Sequence, residues 1–466
     1  METSYKGDES METILQAIEA KKEILEQTSD YIWEHAETAF TEYKSAACLC
    51  DVLRAEGFTV EENLAGIQTA FSGRFGSGKP VIGILGEFDA LSGLSQIADV
   101  AEQMSAGGEA GHGCGHNLLG VGSLGAAIGV KAWLEKTGKP GTVIYFGCPG
   151  EEGGSGKAFM ARDGVFDELD AALCWHPADD NKALNRRWLG NYQVLYKFDG
   201  KASHAGGSPE KGRSALDAVE LMNMGVQFLR EHIPTSCRIH YAITDTGGFS
   251  PNVVQPHAEV LYLMRGVSNA VVAELYERVN DIAKGAALMT GTKESHQFIK
   301  ACSNMIPNDA MQRMLYSKLE QLPIPPVTEE ELAYGQAISQ ALPNGRPERP
   351  YMDTLIPYEP ETQGFSSTDV SDVSWVCPTA QIFTACKAIN TPGHSWQETA
   401  QGKSSRAKKM TLYASKVLAL GAVELMENPE LLAKAKAEHA ERVGPDGYIP
   451  PIPKDVKPMA MDTFKK

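Results

Sequence analysis

The sequence predicts an α/β protein in which a main domain with a central mixed sheet is interrupted by an inserted ferredoxin-like βαββαβ unit. Three observations support this prediction. Short apolar runs alternate with helical stretches in the first part of the chain, the pattern changes near residue 191, and a strand-rich and helical region resumes near residue 305. We therefore expect a main domain formed by residues 1–190 and 305–466, with residues 191–304 inserted.

The chain begins with amphipathic helices and continues into strands. Apolar residues recur at nearly helical spacing among charged residues in 11–34 and again in 41–55, which predicts two opening helices. The strand-like runs 66–75 and 81–86 flank a turn rich in Gly, Ser and Pro. This arrangement predicts a hairpin that enters the sheet.

Later elements complete the main domain and form the insertion. Short, continuous apolar runs at 142–146 and 171–175 are typical of strands that are covered on both faces. Between residues 192 and 299 the order of elements becomes strand, helix, strand, strand, helix, strand. The internal helices and strands are predicted, in chain order, at 214–231, 238–244, 258–265 and 271–289. This order is typical of a ferredoxin-like unit.

The remainder combines loops with one long helix. Pro-rich and Gly-rich stretches at 322–327 and 343–360 predict surface loops. Residues 404–426 predict a helix that closes the main domain, and the tail 448–458 contains too much proline for regular structure.

Composition excludes several classes of protein. The chain has 466 residues, of which 43 are basic and 60 acidic, so its net charge of −17 repels nucleic acid and anionic membrane surfaces. No apolar run approaches the roughly 20 residues of a membrane span, and residues 1–15 do not have the pattern of a secretory signal. Nine scattered cysteines are typical of a reducing compartment, so we expect a cytoplasmic protein.

The densest chemical signal is the motif His-Gly-Cys-Gly-His-Asn at 112–117. Its glycines permit a sharp turn, so the thiolate of Cys114 and the imidazole of His116 can converge on a metal ion at a helix start. The alternative is a structural role, because free cysteine is among the residue types most often buried. Taken alone, the motif leaves both interpretations open.

A second signal is the pair of carboxylates, Glu151 and Glu152, that follows an apolar strand. Because adjacent residues on an extended strand end point in different directions, Glu152 can bind metal while Glu151 acts as general base towards the attacking water. A solvated acidic loop is the alternative. A phosphate-binding loop is excluded because no Gly-Lys-Ser/Thr follows, Lys157 is misplaced, and two carboxylates repel phosphate.

Two further histidines extend this set. His176 ends a strand immediately before a proline, and His394 lies on a Gly/Pro loop before the last long helix. Each histidine taken alone has a structural explanation. Together with Cys114, His116 and Glu152 they form five ligands, which are enough for two divalent ions.

Six motifs then indicate a family. They are, in chain order, Gly-Glu-Phe-Asp-Ala-Leu at 86–91, His-Gly-Cys-Gly-His-Asn at 112–117, Pro-Gly-Glu-Glu-Gly-Gly at 149–154, Trp-His-Pro at 175–177, Ala-Ser-His-Ala at 202–205 and Pro-Gly-His-Ser-Trp at 392–396. In this order they resemble the zinc carboxypeptidase and aminoacylase superfamily of metallopeptidases, in the amidohydrolase branch that includes auxin-conjugate hydrolases. The resemblance covers nearly the whole chain and implies a metallopeptidase-type catalytic domain with an inserted lid or dimerisation domain.

The resemblance implies two divalent ions per chain, Mn or Zn, with Cys114 where other branches have a bridging aspartate. His116, Glu152, His176 and His394 carry over as the remaining ligands, and Glu151 carries over as the general base. Carboxypeptidase-type members have His-x-Asp where this chain has Glu-Phe-Asp at 87–89, so that histidine ligand is absent. Asp89 is expected to orient a ligand histidine. Glu87 receives no role.

Three residues of the insertion match family positions, and a fourth is a further candidate. His204 matches a histidine that reaches the active site of a dimer partner, where it stabilises the developing oxyanion; the alternative is a strand-end histidine. Asn252 and Arg265 match substrate-binding positions, and an arginine fork suits a free carboxylate. Arg213 is a further candidate for the same task. The resemblance therefore implies that dimer formation is required for catalysis.

The expected function is hydrolysis of the amide bond of a small N-acyl amino acid. Within the branch, the segments 147–157 and 240–255 resemble the members that split p-aminobenzoyl-glutamate into p-aminobenzoate and glutamate. A dipeptidase acting on unusual dipeptides is one alternative. A chain that needs a second, homologous chain for activity is another, so the expected partner is either a second copy or a homologous chain of a different type. A metal-storage protein would leave Glu151 without a function.

Overall fold

The computed structural model describes residues 2–343 and 348–460 and divides them into two compact units. The main unit contains residues 2–187, 306–362 and 373–449, apart from 344–347. The inserted unit contains residues 188–305 together with 363–372 and 450–460. The inserted unit therefore includes two short segments that follow residue 305 in the chain.

Helices and strands alternate along much of the chain. The described helices are α1 (Glu2–Ala20), α2 (Lys22–Glu34), α3 (Tyr43–Ala55), α4 (His116–Thr137), α5 (Glu151–Gly154), α6 (Gly156–Arg162), α7 (Ala215–Leu229), α8 (Asn269–Thr290), α9 (Asp309–Gln321), α10 (Glu329–Ser339), α11 (Val370–Val376), α12 (Trp396–Gln401), α13 (Ser405–Glu427) and α14 (Pro429–Val443). The described strands are β1 (Thr59–Glu62), β2 (Phe71–Ser77), β3 (Val81–Glu87), β4 (Leu91–Ser92), β5 (Ala110–Gly111), β6 (Gly141–Cys148), β7 (Ala171–Ala178), β8 (Lys182–Ala183), β9 (Arg186–Arg187), β10 (Gly190–Asp199), β11 (Arg238–Asp245), β12 (His257–Gly266), β13 (Lys293–Cys302), β14 (Thr362–Gln363) and β15 (Thr379–Ala385).

The main unit is built on a seven-stranded mixed sheet in the order β1-β2-β6-β3-β7-β15-β8. The central strands β6, β3, β7 and β15 pair in parallel, whereas β1, β2 and β8 pair antiparallel with their neighbours. Every residue of β3 and β6 is buried, as expected for strands with both faces covered. The predicted α/β fold with a central mixed sheet is confirmed.

The predicted hairpin between 66–75 and 81–86 is wrong. Strands β2 and β3 follow each other in sequence, but β6 lies between them, antiparallel to β2 and parallel to β3. Gly76 near the end of β2 and Gly78 in the turn after it adopt positive φ angles of 85° and 88°. After this turn, β3 lies on the side of β6 that is opposite β2. The Gly, Ser and Pro residues predict a turn, but they do not indicate that β6, which begins 60 residues after β3 begins, inserts between the two strands. The sequence pattern therefore predicts a direct pairing of β2 with β3.

Helix predictions were correct in position but incomplete. The stretch 11–34 contains parts of two helices, α1 and α2, because the helix is interrupted at Lys21. The predicted helices 41–55 and 404–426 correspond to α3 and α13. Helices α9, α10 and α14 were not predicted, since each lies beside a Pro-rich stretch that dominated the pattern.

Helix α4 is the central helix of the main unit. It packs against α1, α2, α13 and β3, and its side chains form part of the main hydrophobic core. Among the described helices, only α4 is long and apolar enough to cross a membrane, and 89% of its most apolar window is buried inside the protein. Its glycines allow this packing, since a Cβ on Gly122 would lie 2.5 Å from the indole of Trp175.

The inserted unit has the predicted ferredoxin-like order. Its antiparallel sheet has the strand order β11-β12-β10-β13. Along the chain, helix α7 follows β10 and helix α8 follows β12. Ser214 and Ser268 cap these helices by accepting N–H groups from Asp217 and Val271. Helix α7 packs on β10 and β12. Strand β11 is the first in the strand order and therefore lies at an edge of the sheet.

The predicted loops lack helices and strands. Residues 322–327 connect α9 and α10, and the tail 448–458 contains no helix or strand. The predicted loop 343–360 is irregular wherever it is described, and its residues 344–347 lie outside the described residues.

Candidate metal centre

The residues of the candidate site lie around the carboxyl ends of parallel strands in the main unit. Glu87 ends β3, Glu151 follows β6, and His176 lies in β7. His116 is the first residue of α4, and His394 lies in the loop before α12. In α/β sheets the carboxyl ends of parallel strands are the usual place for a binding site.

Glycines shape the loop that carries Cys114. Gly115 has a φ angle of 74°, and a Cβ there would lie 3.1 Å from Pro177, the residue after His176. The carbonyl of Gly113 accepts the N–H of His394 at 2.9 Å, which joins two loops far apart in sequence. His394 itself has a φ angle of 55°. The glycines are therefore required by close approaches between the ligand-bearing loops.

All five predicted ligands come together. Cys114, His116 and His176 offer donor atoms within 4.8 Å of one another, and so do Cys114, Glu152 and His394. The two groups share Cys114. Two groups of three ligands that share Cys114 would be enough to hold two divalent ions.

Hydrogen bonds orient two of the imidazoles. His116 Nδ1 lies 2.9 Å from Asp89 Oδ1, and His176 Nδ1 lies 2.8 Å from the carbonyl of Pro177. In each ring Nδ1 is therefore the donor, and Nε2 faces the rest of the cluster; His176 Nε2 is 3.4 Å from Cys114 Sγ. The structure therefore places Asp89 where it orients the ring of His116.

Burial and neighbouring charges set the protonation states. Burial lowers the pKa of His176 to about 4, so this imidazole is neutral at pH 7. Burial, together with the charge of Glu152, raises the pKa of Cys114 well above that of a free thiol. Burial also opposes ionisation of Glu152, but the hydrogen bond from His394 at 3.0 Å lowers its pKa to about 2. Binding of metal must therefore displace the proton of Cys114.

The two adjacent carboxylates do not lie on an extended strand end. They lie in the short helix α5, in which Glu152 has the non-helical backbone angles φ −73° and ψ 90°. Asp89 Oδ2 accepts the backbone N–H of Glu152 at 2.8 Å, and buried Glu42 accepts the N–H of Gly150 at 2.9 Å. The side chains still diverge, because Glu152 joins Cys114 and His394 while Glu151 lies with Glu87 and His116.

The donor set suits divalent ions of the Zn or Mn type. It combines one thiolate, three imidazoles and a carboxylate, which are ligands for borderline metals. His116 Nε2 is buried and no hydrogen bond reaches it, as expected of a ligand atom. The side chain of His394 is 55% exposed, so the cluster is open to solvent on that side.

Sequence reasoning missed the charged residues that surround the cluster. Glu87 forms a buried ion pair with Lys157, and Glu398 forms another with Lys387. Burial opposes ionisation of Glu87, yet the ammonium of Lys157 lowers its pKa. Glu42 accepts N–H groups from Phe40 and Gly150, and its burial raises its pKa to about 8. In the sequence, the only signal that could indicate the burial of Lys157 and Glu42 is the apolar residues near them in the chain.

The other predicted residues lie in the inserted unit. His204 is exposed, and its Nδ1 accepts the N–H groups of Gly206 and Gly207 at 3.1 and 3.0 Å, so its proton is on Nε2. Asn252 is adjacent, since its carbonyl accepts the N–H of Ala205. Arg265 on β12 donates to Ser367 Oγ at 2.9 Å. Arg213 donates to the carbonyls of Glu210 and Gly212.

Comparisons with known proteins show what the whole chain is similar to. A family model described as the peptidase dimerisation domain matches residues 190–289. The chain is 46% identical to the B-type chain of p-aminobenzoyl-glutamate hydrolase from Escherichia coli (strain K12), over 95% of this chain and 97% of the relative. It is 28% identical to the Xaa-Arg dipeptidase of Mus musculus over 90% of each chain. Its fold is similar to that of a Bacillus subtilis dinuclear metal binding peptidase from the M20 family, with a TM-score of 0.55, 16% identity and coverage of 88% and 99%.

Proposed function

The chain belongs to the M20 family of hydrolases, and we propose that it is an amidohydrolase that splits p-aminobenzoyl-glutamate into p-aminobenzoate and glutamate. The observation that carries the proposal is the pair of ligand groups that share Cys114. A carboxylate outside those groups, Glu151, lies beside them. A protein that only bound metal would have no use for this extra carboxylate.

Two divalent ions, Mn or Zn, bound by Cys114, His116, Glu152, His176 and His394 would supply Lewis-acid chemistry towards water and the amide carbonyl. Glu151 takes a proton from the attacking water and later delivers it to the leaving amine nitrogen. Asp89 holds the His116 ring and the backbone of Glu152 in place during these steps. The residues around the cluster therefore divide into those that hold the ions and one that moves the proton.

The substrate is inferred from the 46% identical relative and from the residues of the inserted unit. We assign Arg265 to the glutamate carboxylates, since a guanidinium fork suits these groups. Asn252 lies beside His204, near the opposite end of β12, and we assign it, together with His204, to the substrate in the partner's site. Arg213 is less suited, because its guanidinium already donates to two backbone carbonyls.

The inserted unit presents an apolar surface where dimer formation is expected. Leu221, Met224 and Phe228 on α7 are exposed, and so are Tyr241 and Ile243 on the edge strand β11. An open strand edge beside exposed apolar side chains is a surface that pairs with another chain. We propose that a second copy, or a homologous A-type chain of the hydrolase, associates here.

In the proposed dimer, His204 serves the partner's metal centre. Its Nε2 carries the proton, so it can donate a hydrogen bond to the oxyanion that develops on the amide carbonyl. Its exposure on the inserted unit supports a role outside its own unit.

We also propose a reducing compartment, the cytoplasm, as the location of the protein. Its nine cysteines are free, and those other than Cys48 and Cys114 are buried. Free, buried cysteines are typical of proteins from reducing compartments.

The proposed reaction is tested with the Mn- or Zn-loaded chain and p-aminobenzoyl-glutamate, by following the release of p-aminobenzoate. We expect release by the wild type and a loss of at least about 100-fold in Glu151→Gln, because the proton-transfer group is removed. The metal content of Glu151→Gln should equal that of the wild type, as measured by atomic emission.

The control is Glu135→Gln, which neutralises an exposed carboxylate on α4 and should keep full activity. If the wild type binds both ions and releases nothing, an amidase that works alone on this substrate is excluded. Dipeptides and an added A-type chain would then be assayed with the same preparation.

A further inference from the structure

Glu87 and Lys157 form an ion pair inside the main unit. Glu87 ends β3 and Lys157 lies in the first turn of α6, and their exposed fractions are 2% and 0%. Lys157 Nζ lies 2.8 Å from Glu87 Oε1. Removing two charges from water is costly, so a pair at this depth needs good geometry and a further use for the remaining carboxylate oxygen.

The remaining oxygen of Glu87 faces the metal centre. Glu87 Oε2 lies 3.3 Å from His116 Nε2, the ring nitrogen that the hydrogen bond to Asp89 leaves for metal. Two atoms that bind one ion tetrahedrally at about 2.1 Å each lie about 3.4 Å apart. Glu87, His116 and Glu151 also offer donor atoms within 4.8 Å of one another. Glu87 Oε2 is therefore at the spacing of a ligand to the ion that His116 would hold.

We propose that Glu87 is a further ligand of the metal centre and that Lys157 positions it. By holding Oε1, the ammonium leaves one oxygen to face His116 and fixes the carboxylate before metal arrives. The assignment also explains why an ammonium is buried beside the ligands, since the carboxylate lies between Lys157 and His116. This inference rests on the proposed function, because it concerns the same two ions.

The competing explanation is a pair that only stabilises the fold. The double variant Glu87→Gln/Lys157→Met separates the two explanations, since it replaces the charges by neutral side chains of similar size. Such replacements of buried pairs are often neutral or stabilising. A purely structural pair would therefore leave metal binding unchanged in the folded double variant.

The experiment measures the number of bound Mn²⁺ or Zn²⁺ ions and their dissociation constants by calorimetry, without substrate. We expect one of the two dissociation constants to rise more than about 100-fold in the double variant, because the loss of a group that only supports a ligand costs about 10- to 100-fold. A rise within that lower range would make Glu87 a supporting group and not a ligand. The visible spectrum of the Co²⁺-loaded protein should also change, because a ligand is lost. The matched control is Glu424→Gln/Lys318→Met, which removes an ion pair between α9 and α13 and should bind metal as the wild type does.

If the double variant does not fold, Glu87→Asp takes its place. It keeps the charge but withdraws the carboxylate by one methylene, so the same dissociation constant should rise. Wild-type affinities and an unchanged Co²⁺ spectrum in a folded variant would overturn the assignment of Glu87 alone. Failure of the wild-type protein to bind two ions would instead contradict the proposed function.

Discussion

A histidine outside the ligand set links stability to pH. His112 is buried, and its Nε2 donates to the carbonyl of Ile32 at 3.0 Å. Burial, with a smaller effect of the charge on His116, lowers the pKa of His112 to about 3. The folded protein therefore keeps this ring neutral under conditions in which the unfolded chain binds a proton.

The expected result is a loss of stability in acid. Between pH 6.5 and about 3, this one group lowers the free energy of unfolding by up to about 1.4 kcal/mol per pH unit, because only the unfolded state takes up the proton. His112→Gln removes the titration and should reduce the pH dependence between pH 7 and 5. Denaturant unfolding of the metal-free protein at both pH values measures this, and equal pH dependence in the two proteins would contradict it.

At the residue scale, the sequence indicates groups that lie close together along the chain, and it does not indicate groups that depend on burial. Cys114 and His116 are predicted as ligands because two ligand types lie two positions apart between glycines. Glu87 and Lys157 are 70 positions apart, and their pairing appears only when β3 and α6 are packed. From the sequence, Lys157 can be tested only as a phosphate-loop lysine, since nothing in the sequence indicates that this charged residue is buried.

At the scale of elements, α4 depends on a glycine that contacts the neighbouring strand. A Cβ on Gly120 would lie 2.7 Å from the backbone carbonyl oxygen of Glu87, which cannot move without displacing β3. We expect Gly120→Ala to lower the melting temperature and cost about 1–3 kcal/mol through overpacking. Calorimetry of the metal-free protein measures this change.

Gly285 provides the matched comparison, because a Cβ there meets nothing within 4 Å in the middle of α8. Gly285→Ala should be neutral or should stabilise the protein by about 0.5–1 kcal/mol, since alanine favours the helix. If both substitutions destabilised equally, the close contact of Gly120 would not be the cause.

Elements with a strong local pattern were predictable, and pairings between distant strands were not. The apolar runs identified β6 and β7, whereas the position of β6 between β2 and β3 depends on long-range packing. The break at Lys21 was missed because the apolar periodicity continues through it.

At the scale of the whole molecule, the proposed use of His204 by a partner predicts complementation. Chains carrying Glu151→Gln and chains carrying His204→Ala should each have low activity. Mixed after dissociation and reassociation, they should recover about a quarter of wild-type activity, because half of the dimers are mixed and each contains one intact site. The measurement is p-aminobenzoate release against the ratio of the two chains.

The control uses the surface proposed for association. Phe228 on α7 is 71% exposed, and Phe228→Glu places a charge there. This variant should have a lower mass by light scattering, because it should not form dimers, and it should not support complementation. Leu288→Glu, at an 85% exposed position on α8, should affect neither. Full activity of His204→Ala alone would contradict the proposal.

The order of the inserted unit could be predicted at this scale because its elements are consecutive in sequence. Two later segments also belong to the inserted unit, 363–372 and 450–460. Their positions could not be predicted, since neither segment has a periodic pattern that indicates where it packs.

The seven-stranded sheet also has a consequence for folding during synthesis. Strand β7 pairs with β15, about two hundred positions later in the chain, so one edge of β7 stays open until residues 379–385 have emerged from the ribosome. His394 emerges later still, so the ligand set is incomplete for most of translation. Such late, non-local pairing folds slowly and exposes strand edges, which makes the nascent chain a candidate for chaperone binding until its last quarter has been made.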